Sequence, residues 1–331
     1  MGMAVMRVDD EADAAQLRAA AAQAAAGLRA DAPTVAMIHG FRYDPTAPCA
    51  DPHGSIYRDG PTPPALANGG RAASWPHALG YTGAGAADAL CVGFGWRARA
   101  AHLGGYLREG RSGFAAVCDR AAQAGRTLAR AAVALAEVRD RPVDVLAHSL
   151  GARVALAALR AAAEEGMGAP FGRVILMGPA AFAAEARAAL AACDRAGAPA
   201  PEVYCLLARG NAAFDRLFEA FAPYGHGPSL GRSGLGARRA RWIDLAFDAP
   251  ATADWAAARG VPLAPAAGFP CHWSFYTRPG AMALHRAILR REPGFGVEEM
   301  RADGVPQHAP ARRRRWLREG GPSEDLAPTP A

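Results

Sequence analysis

Short runs of consecutive apolar residues recur along the chain, separated by longer stretches rich in Ala, Leu and Arg that hold few helix breakers. Six of these runs read as strands: Pro33–His39, Ala87–Trp96, Val143–His148, Arg173–Met177, Glu202–Leu207 and Arg241–Phe247. Each is the length of a strand and lacks the alternation of a half-exposed one, which is the pattern of a sheet covered on both faces. The stretches Ala12–Leu28, Phe114–Val138, Leu150–Ala163, Ala181–Cys193, Phe214–Phe221 and Met282–Arg291 read as helices. Strands alternating with helices predict an α/β protein with a doubly wound, mostly parallel sheet in three layers, α-β-α. Ala4–Val8 is the candidate for one further strand, so six to seven strands are expected. One domain is predicted over residues 1–295.

Two segments break this rhythm. Residues 42–86 are rich in Pro and Gly and too long for an ordinary connection, which predicts an insertion that acts as a lid or specificity wall. Residues 222–240 are glycine-rich. Beyond position 295 the chain reads as a poorly ordered tail with the basic run Arg312–Arg315.

Composition narrows the function. With 51% hydrophobic and 21% charged residues, the 331-residue chain can bury a large core, which excludes wholesale disorder. No stretch has the length and hydropathy of a membrane span, so no integral membrane segment is expected. The first residues lack the pattern of a secretory signal, and the expected location is cytoplasmic. The net charge of +6 comes from a chain whose basic residues are all Arg and of which about a quarter is Ala. Most of these Arg residues alternate with acids along Ala-rich segments instead of clustering among aromatics, so no nucleic-acid partner is expected. The six cysteines form no CxxC pair, which gives no support to a zinc or redox site.

The chemistry-bearing stretch is Val143-Asp-Val-Leu-Ala-His-Ser-Leu-Gly-Ala152, an apolar strand running into Ser149 and then directly into a helix. A serine on such a turn presents its hydroxyl above the sheet edge, and the flanking Ala147 and Gly151 are small enough for strand and helix to pack closely. The bland alternative is a serine that caps its helix. With His39-Gly40-Phe41 at the end of an earlier strand, the pattern resembles the α/β-hydrolase superfamily, in an esterase- or lipase-like branch. Ala147-His-Ser-Leu-Gly151 is similar to its nucleophile elbow, and His39-Gly40-Phe41 to its oxyanion-hole loop.

The resemblance implies a catalytic triad in the order Ser, acid, His. Its nucleophile is Ser149, and the amides of Phe41 and Leu150 form the oxyanion hole. Asp215, shortly after the fifth predicted strand, is the expected acid, with Glu219 as the fallback. Asn211 is nearer the strand end but is uncharged. His272 is the expected base, in preference to His226 and His285. His39 and His148 are expected to be structural. Trp96 and Trp273, near strand ends, are candidates for the substrate-binding wall. The implied function is hydrolysis of a small-molecule carboxylic ester through an acyl-enzyme, with no cofactor and no metal. An acyltransferase or thioesterase using the same triad, or a non-catalytic binding protein of the same fold, are the alternatives. The sequence leaves the oligomeric state open.

Overall fold

The computed structural model describes residues 5–9, 13–61, 73–82, 88–100, 111–197, 199–223, 227–236, 240–266 and 271–308. Seven strands form one sheet: β1 (Val5–Asp9), β2 (Thr34–Ile38), β3 (Leu90–Gly95), β4 (Val143–His148), β5 (Phe171–Met177), β6 (Glu202–Leu207) and β7 (Trp242–Ala246). Their spatial order is β1-β3-β2-β4-β5-β6-β7, and every neighbouring pair is parallel. The expected architecture is therefore present, with Val5–Asp9 as a parallel edge strand beside β3.

The continuous apolar runs divide between two cores by simple alternation. Ala36, Ile38, Val145 and Ala147 point to one face, while Val35, Met37 and Leu146 point to the other. The first face is covered by α1 (Ala14–Ala25), α3 (Arg111–Arg139), α4 (Gly151–Glu164) and α5 (Ala183–Ala196). Small side chains let these helices approach closely. A Cβ at Gly125 of α3 would come within 2.5 Å of Ala157 Cβ on α4.

The second face is covered by α8 (Pro250–Ala257), α9 (Ser274–Thr277), α10 (Ala281–Leu289) and α11 (Val297–Ala302), together with much of the segment expected to be a lid. Within that segment Ile56, Tyr57, Trp75, Leu79 and Tyr81 are buried, Trp75 opening the short α2 (Trp75–Ala78). Tyr57 lies against Gly93, where a Cβ would meet its ring at 2.8 Å. The described part of 42–86 is thus mainly a layer under the sheet, and Arg42 and Tyr43 at its head reach the cavity described below. Residues 62–72 and 83–87 lie outside the described residues.

The domain also extends past the expected boundary at 295. Val297, Met300 and Val305 are buried in the second core, Gln307 bridges to Leu245, and the His308 amide donates to Asp244 O. Three apolar side chains spaced among Glu, Arg and Gly are enough to dock this segment, although the composition around them reads as a tail. The run Arg312–Arg315 lies outside the described residues. In the glycine-rich stretch, the described residues 227–236 include α7 (Leu230–Ser233), where Ser229 and Leu230 are fully buried. No helix among the described residues is long and apolar enough to cross a membrane.

The strand order fixes where a ligand can enter. From β2 the chain steps outward to β3, whereas from β4 it proceeds the other way to β5, β6 and β7. The carboxyl ends of β2 and β4 therefore flank the point where the winding reverses, where connections diverge and open sheets leave a crevice.

Candidate active site

Ser149 follows β4 with φ at +56°, a left-handed backbone conformation that a non-glycine residue adopts at a cost. Its surroundings hold it there. The Ser149 amide donates to Met177 O at 3.0 Å, and its carbonyl accepts from the Ala180 amide at 3.0 Å. Gly151 is required by packing, since a Cβ there would lie 2.4 Å from Ile38 O. Gly40 is equally constrained, for a Cβ at that position would meet Ser149 Cβ at 2.7 Å and its Oγ at 3.3 Å. The two motifs recognised in the sequence are therefore in direct contact. Helix α4 has Leu150, not Ser149, at its N-cap, with no side-chain cap hydrogen bond. The Leu150 amide heads a helix whose first N–H groups have no intrahelical partner.

Behind Gly40 stands His39, fully buried. Its Nε2 accepts the Trp96 amide at 3.1 Å, which leaves Nδ1 as the protonated nitrogen, donating to Gly40 O at 2.9 Å. A trans peptide aims its N–H opposite to its C=O, so the Phe41 amide is directed away from His39. Burial holds the imidazole down at about 3, and it stays neutral in this role. Trp96 completes the arrangement, stacking on the His39 ring at 5.7 Å and donating its indole N–H to His39 O at 3.0 Å. Trp96 is fully buried and does not line the cavity, which corrects its assignment as a substrate-wall residue. It is a strand-end residue turned into the core.

The imidazole of His272 enters from the loop before α9. Its Nδ1 lies 2.7 Å from Asn211 Oδ1, and Asn211 Nδ2 donates to Asp215 Oδ1 at 2.9 Å. Because the amide nitrogen is committed to the carboxylate, its oxygen faces the ring. His272 therefore carries its proton on Nδ1 and leaves Nε2 basic. The expected partner Asp215 does not touch His272; Asn211 stands between them. The reason is local: a 3-10 turn, Arg209–Asn211, follows β6 before α6 (Ala212–Phe221) begins, and it brings Asn211 to the ring one helical turn ahead of Asp215.

Asp215 is buried against Gly231, where a Cβ would fall 2.1 Å from Oδ1. Loss of solvation pushes its carboxyl up to about 7, opposed by the Asn211 hydrogen bond. The fallback, Glu219, is engaged elsewhere, accepting the Ser229 amide and pairing with Arg232.

His272 is enclosed by rings, stacked on Phe214 at 4.7 Å and packed against His148 at 4.6 Å. Burial, then the neighbouring His148, hold its basicity well below the usual imidazole range. His148, on the opposite face of β4 from Ala147, donates from Nε2 to the His272 carbonyl at 2.8 Å and so ties the loop bearing His272 to the strand that leads into Ser149. Of the two other histidines considered as bases, His285 is buried in α10 with Nε2 on Phe275 O, and His226 lies outside the described residues.

Ser149, Leu150, Phe41, His272, Asn211, Asp215 and Trp273 all line one cavity of about 300 Å³ at the switch point. Its remaining walls are mostly apolar, with Tyr43, Phe114, Phe214, Phe218 and Tyr276 prominent. Sequence reasoning did not select these five or His148, and it set Asn211 aside for lack of charge, although its place at the end of β6 was visible. Among the described residues no group of three or more His, Cys, Asp or Glu gathers as a metal site.

Fold and cavity together define a doubly wound α/β protein with a serine, a neutral imidazole and an amide-bridged carboxylate gathered at its switch point. The family described as "Protein of unknown function (DUF726)" matches residues 86–194, from before β3 into α5 and including Ser149. The matched segment leaves out His39, Asn211 and His272. No curated protein and no solved structure matches the chain.

Proposed function

We propose that the chain is a serine hydrolase of the α/β-hydrolase type, cleaving carboxylic esters with an apolar acyl group through an acyl-enzyme intermediate. The observation that carries this reading is the strained Ser149 in one cavity with His272, whose Nδ1 proton is fixed on Asn211. A bound ester is attacked at its carbonyl carbon by Ser149 Oγ while His272 Nε2 takes the hydroxyl proton. The developing oxyanion accepts from the Phe41 and Leu150 amides, each contributing about 3 kcal/mol. The C–O bond to the alcohol breaks, and the imidazolium returns its proton to the departing oxygen. Water, deprotonated by His272, then releases the acid and restores Ser149.

The imidazolium in this sequence is stabilised by the Asn211 carbonyl dipole, with the Asp215 carboxylate behind the amide. The apolar walls exclude water and accept the acyl group. Since an apolar cavity of roughly 150 Å³ holds benzene, a cavity of about 300 Å³ accommodates roughly a dozen heavy atoms. The test is covalent labelling with a fluorophosphonate probe. The wild type is expected to label at one site that Ser149→Ala removes. A folded wild type that takes up no probe would falsify the proposal.

A further inference from the structure

We propose that Arg42 is the specificity residue of this site, selecting esters whose acyl part is apolar and whose alcohol part carries a carboxylate or phosphate. The inference rests on the hydrolase reading above and deepens it.

Arg42 follows the oxyanion residue Phe41 and lines the same cavity as Ser149, but its side chain is exposed at the rim. Its guanidinium has no hydrogen bond or ion pair among the described residues, in a chain where many arginines are paired with acids or backbone carbonyls. The nearby Asp44 does not neutralise it, because its carboxylate is turned into its own loop, accepting the Thr46 amide at 2.9 Å and hydroxyl at 2.7 Å. Around the rest of the cavity wall, Asp215 is buried and accepts from Asn211, and the rings of His148 and His272 are held neutral by burial. Among the described residues that line this cavity, Arg42 is thus the exposed ionic group.

Its backbone is an independent observation. Arg42 has φ at +83°, a conformation that glycine adopts without strain and an arginine does not. The loop fixes it there, with the Arg42 amide donating to Ala98 O at 3.0 Å and the Ala98 amide donating to Tyr43 O at 3.0 Å. A long cationic side chain therefore stands on a pinned, strained backbone one residue from the oxyanion hole. Backbone strain of this kind collects at functional sites and ligand clamps. The apolar interior accepts the acyl group, so the part of the ester left at the mouth is the alcohol, and an anion there meets the guanidinium.

The experiment compares 4-nitrophenyl butyrate with its 3-carboxy derivative, each rate divided by that ester's hydroxide-catalysed rate. For the wild type the carboxylated ester is expected to have the higher kcat/KM, by about five- to tenfold at low ionic strength, a preference that shrinks in 0.5 M salt. In Arg42→Gln and Arg42→Gly the ratio should collapse towards one, and Arg42→Lys should restore most of it. The glycine variant suits the +83° backbone, so its loss of preference cannot be assigned to a disturbed loop. An unchanged ratio in Arg42→Gln, or no preference in the wild type, overturns the proposal. If Ser149 still labels with fluorophosphonate in that case, the hydrolase reading stands and only the role of Arg42 is lost. If Ser149 does not label and neither ester is cleaved, both fall together.

Discussion

Replacing Asp215 with Asn tests how the charge behind the base is used, because the side chain keeps its shape and an oxygen that can accept from Asn211. The carboxyl of Asp215 is 3% exposed and accepts from Asn211, and burial raises its pKa from 3.8 in the unfolded chain to about 7. Between those values the folded protein holds a proton that the unfolded chain has released. The sign follows: stability attributable to this group falls as pH rises from about 4 to about 7, and the full penalty is present above that window. Roughly three pH units at 1.36 kcal/mol each give an upper value of about 4 kcal/mol, and relaxation of the site brings this to about 2–4 kcal/mol.

Urea unfolding of wild type and Asp215→Asn at pH 5, 6, 7 and 8 measures it. The stability of the variant relative to wild type should grow with pH and level off above about 7. Any cost of the new amide is independent of pH and shifts the whole curve without changing its slope. The same variant separates two geometries by activity. A carboxylate in direct contact with the imidazole is worth about 10⁴ in kcat, whereas a charge acting through an intervening amide should be worth roughly tenfold. Parallel stability curves would refute the buried, charged Asp215, and a 10⁴ loss of kcat would refute the bridged arrangement.

Two further outcomes follow from the same contacts. Asn211→Ala removes the acceptor that fixes the His272 tautomer, and kcat should fall by about 10²–10³ with a smaller change in KM, read from steady-state ester hydrolysis; a loss below fivefold would count against Asn211 as the orienting group. Acid should destabilise the fold, because burial lowers His39 to about 3 and His148 and His285 to about 4, so the unfolded chain gains protons from about pH 6.5 downward. His272, also held well below the usual range by burial, adds a fourth proton and Asp215 offsets one, leaving a net loss on the order of 3–4 kcal/mol per pH unit between about pH 6 and pH 5. A urea midpoint that holds or rises between pH 7 and pH 5 would contradict this.

The sheet was largely legible before the structure because its strands are buried on both faces. Glu202–Leu207, for example, is an apolar run whose ends coincide with β6. The elements that escaped are those whose identity depends on what they pack against. Trp75–Ala78 is a four-residue helix opening on Trp and Pro, and it exists because Trp75 and Leu79 fill the second core beneath β2 and β3. The segment from Val297 to Val305 is similar, since its apolar residues have no strong period and become core only once β6 and β7 are in place. Proline and glycine content marked residues 42–86 as irregular, but irregular backbone covers a sheet face as well as a helix does when it delivers Ile56 and Tyr57 to it.

At the site, the motifs led to Ser149 and to the Gly40–Phe41 loop beside it because that turn and that contact depend on backbone geometry that small residues alone permit. The partner of His272 followed a different logic. A search for a carboxylate after β6 arrives at Asp215, yet which side chain meets the ring depends on how the strand turns into the helix. The 3-10 turn advances Asn211 to the ring, and the four-residue offset places Asp215 on the same helical side directly behind it. The amide oxygen then sets the His272 tautomer, while the carboxylate sets the orientation of the amide, so each group does one part of what a single aspartate does in a triad. That division has an electrostatic consequence. With the charge one amide removed from a ring already stacked on Phe214 and His148, the imidazolium is stabilised less, in keeping with a His272 basicity well below the usual range. A weaker base stays unprotonated further into acid, so the acid limb of kcat/KM should lie below the ordinary histidine value of 6.5, provided the fold survives there.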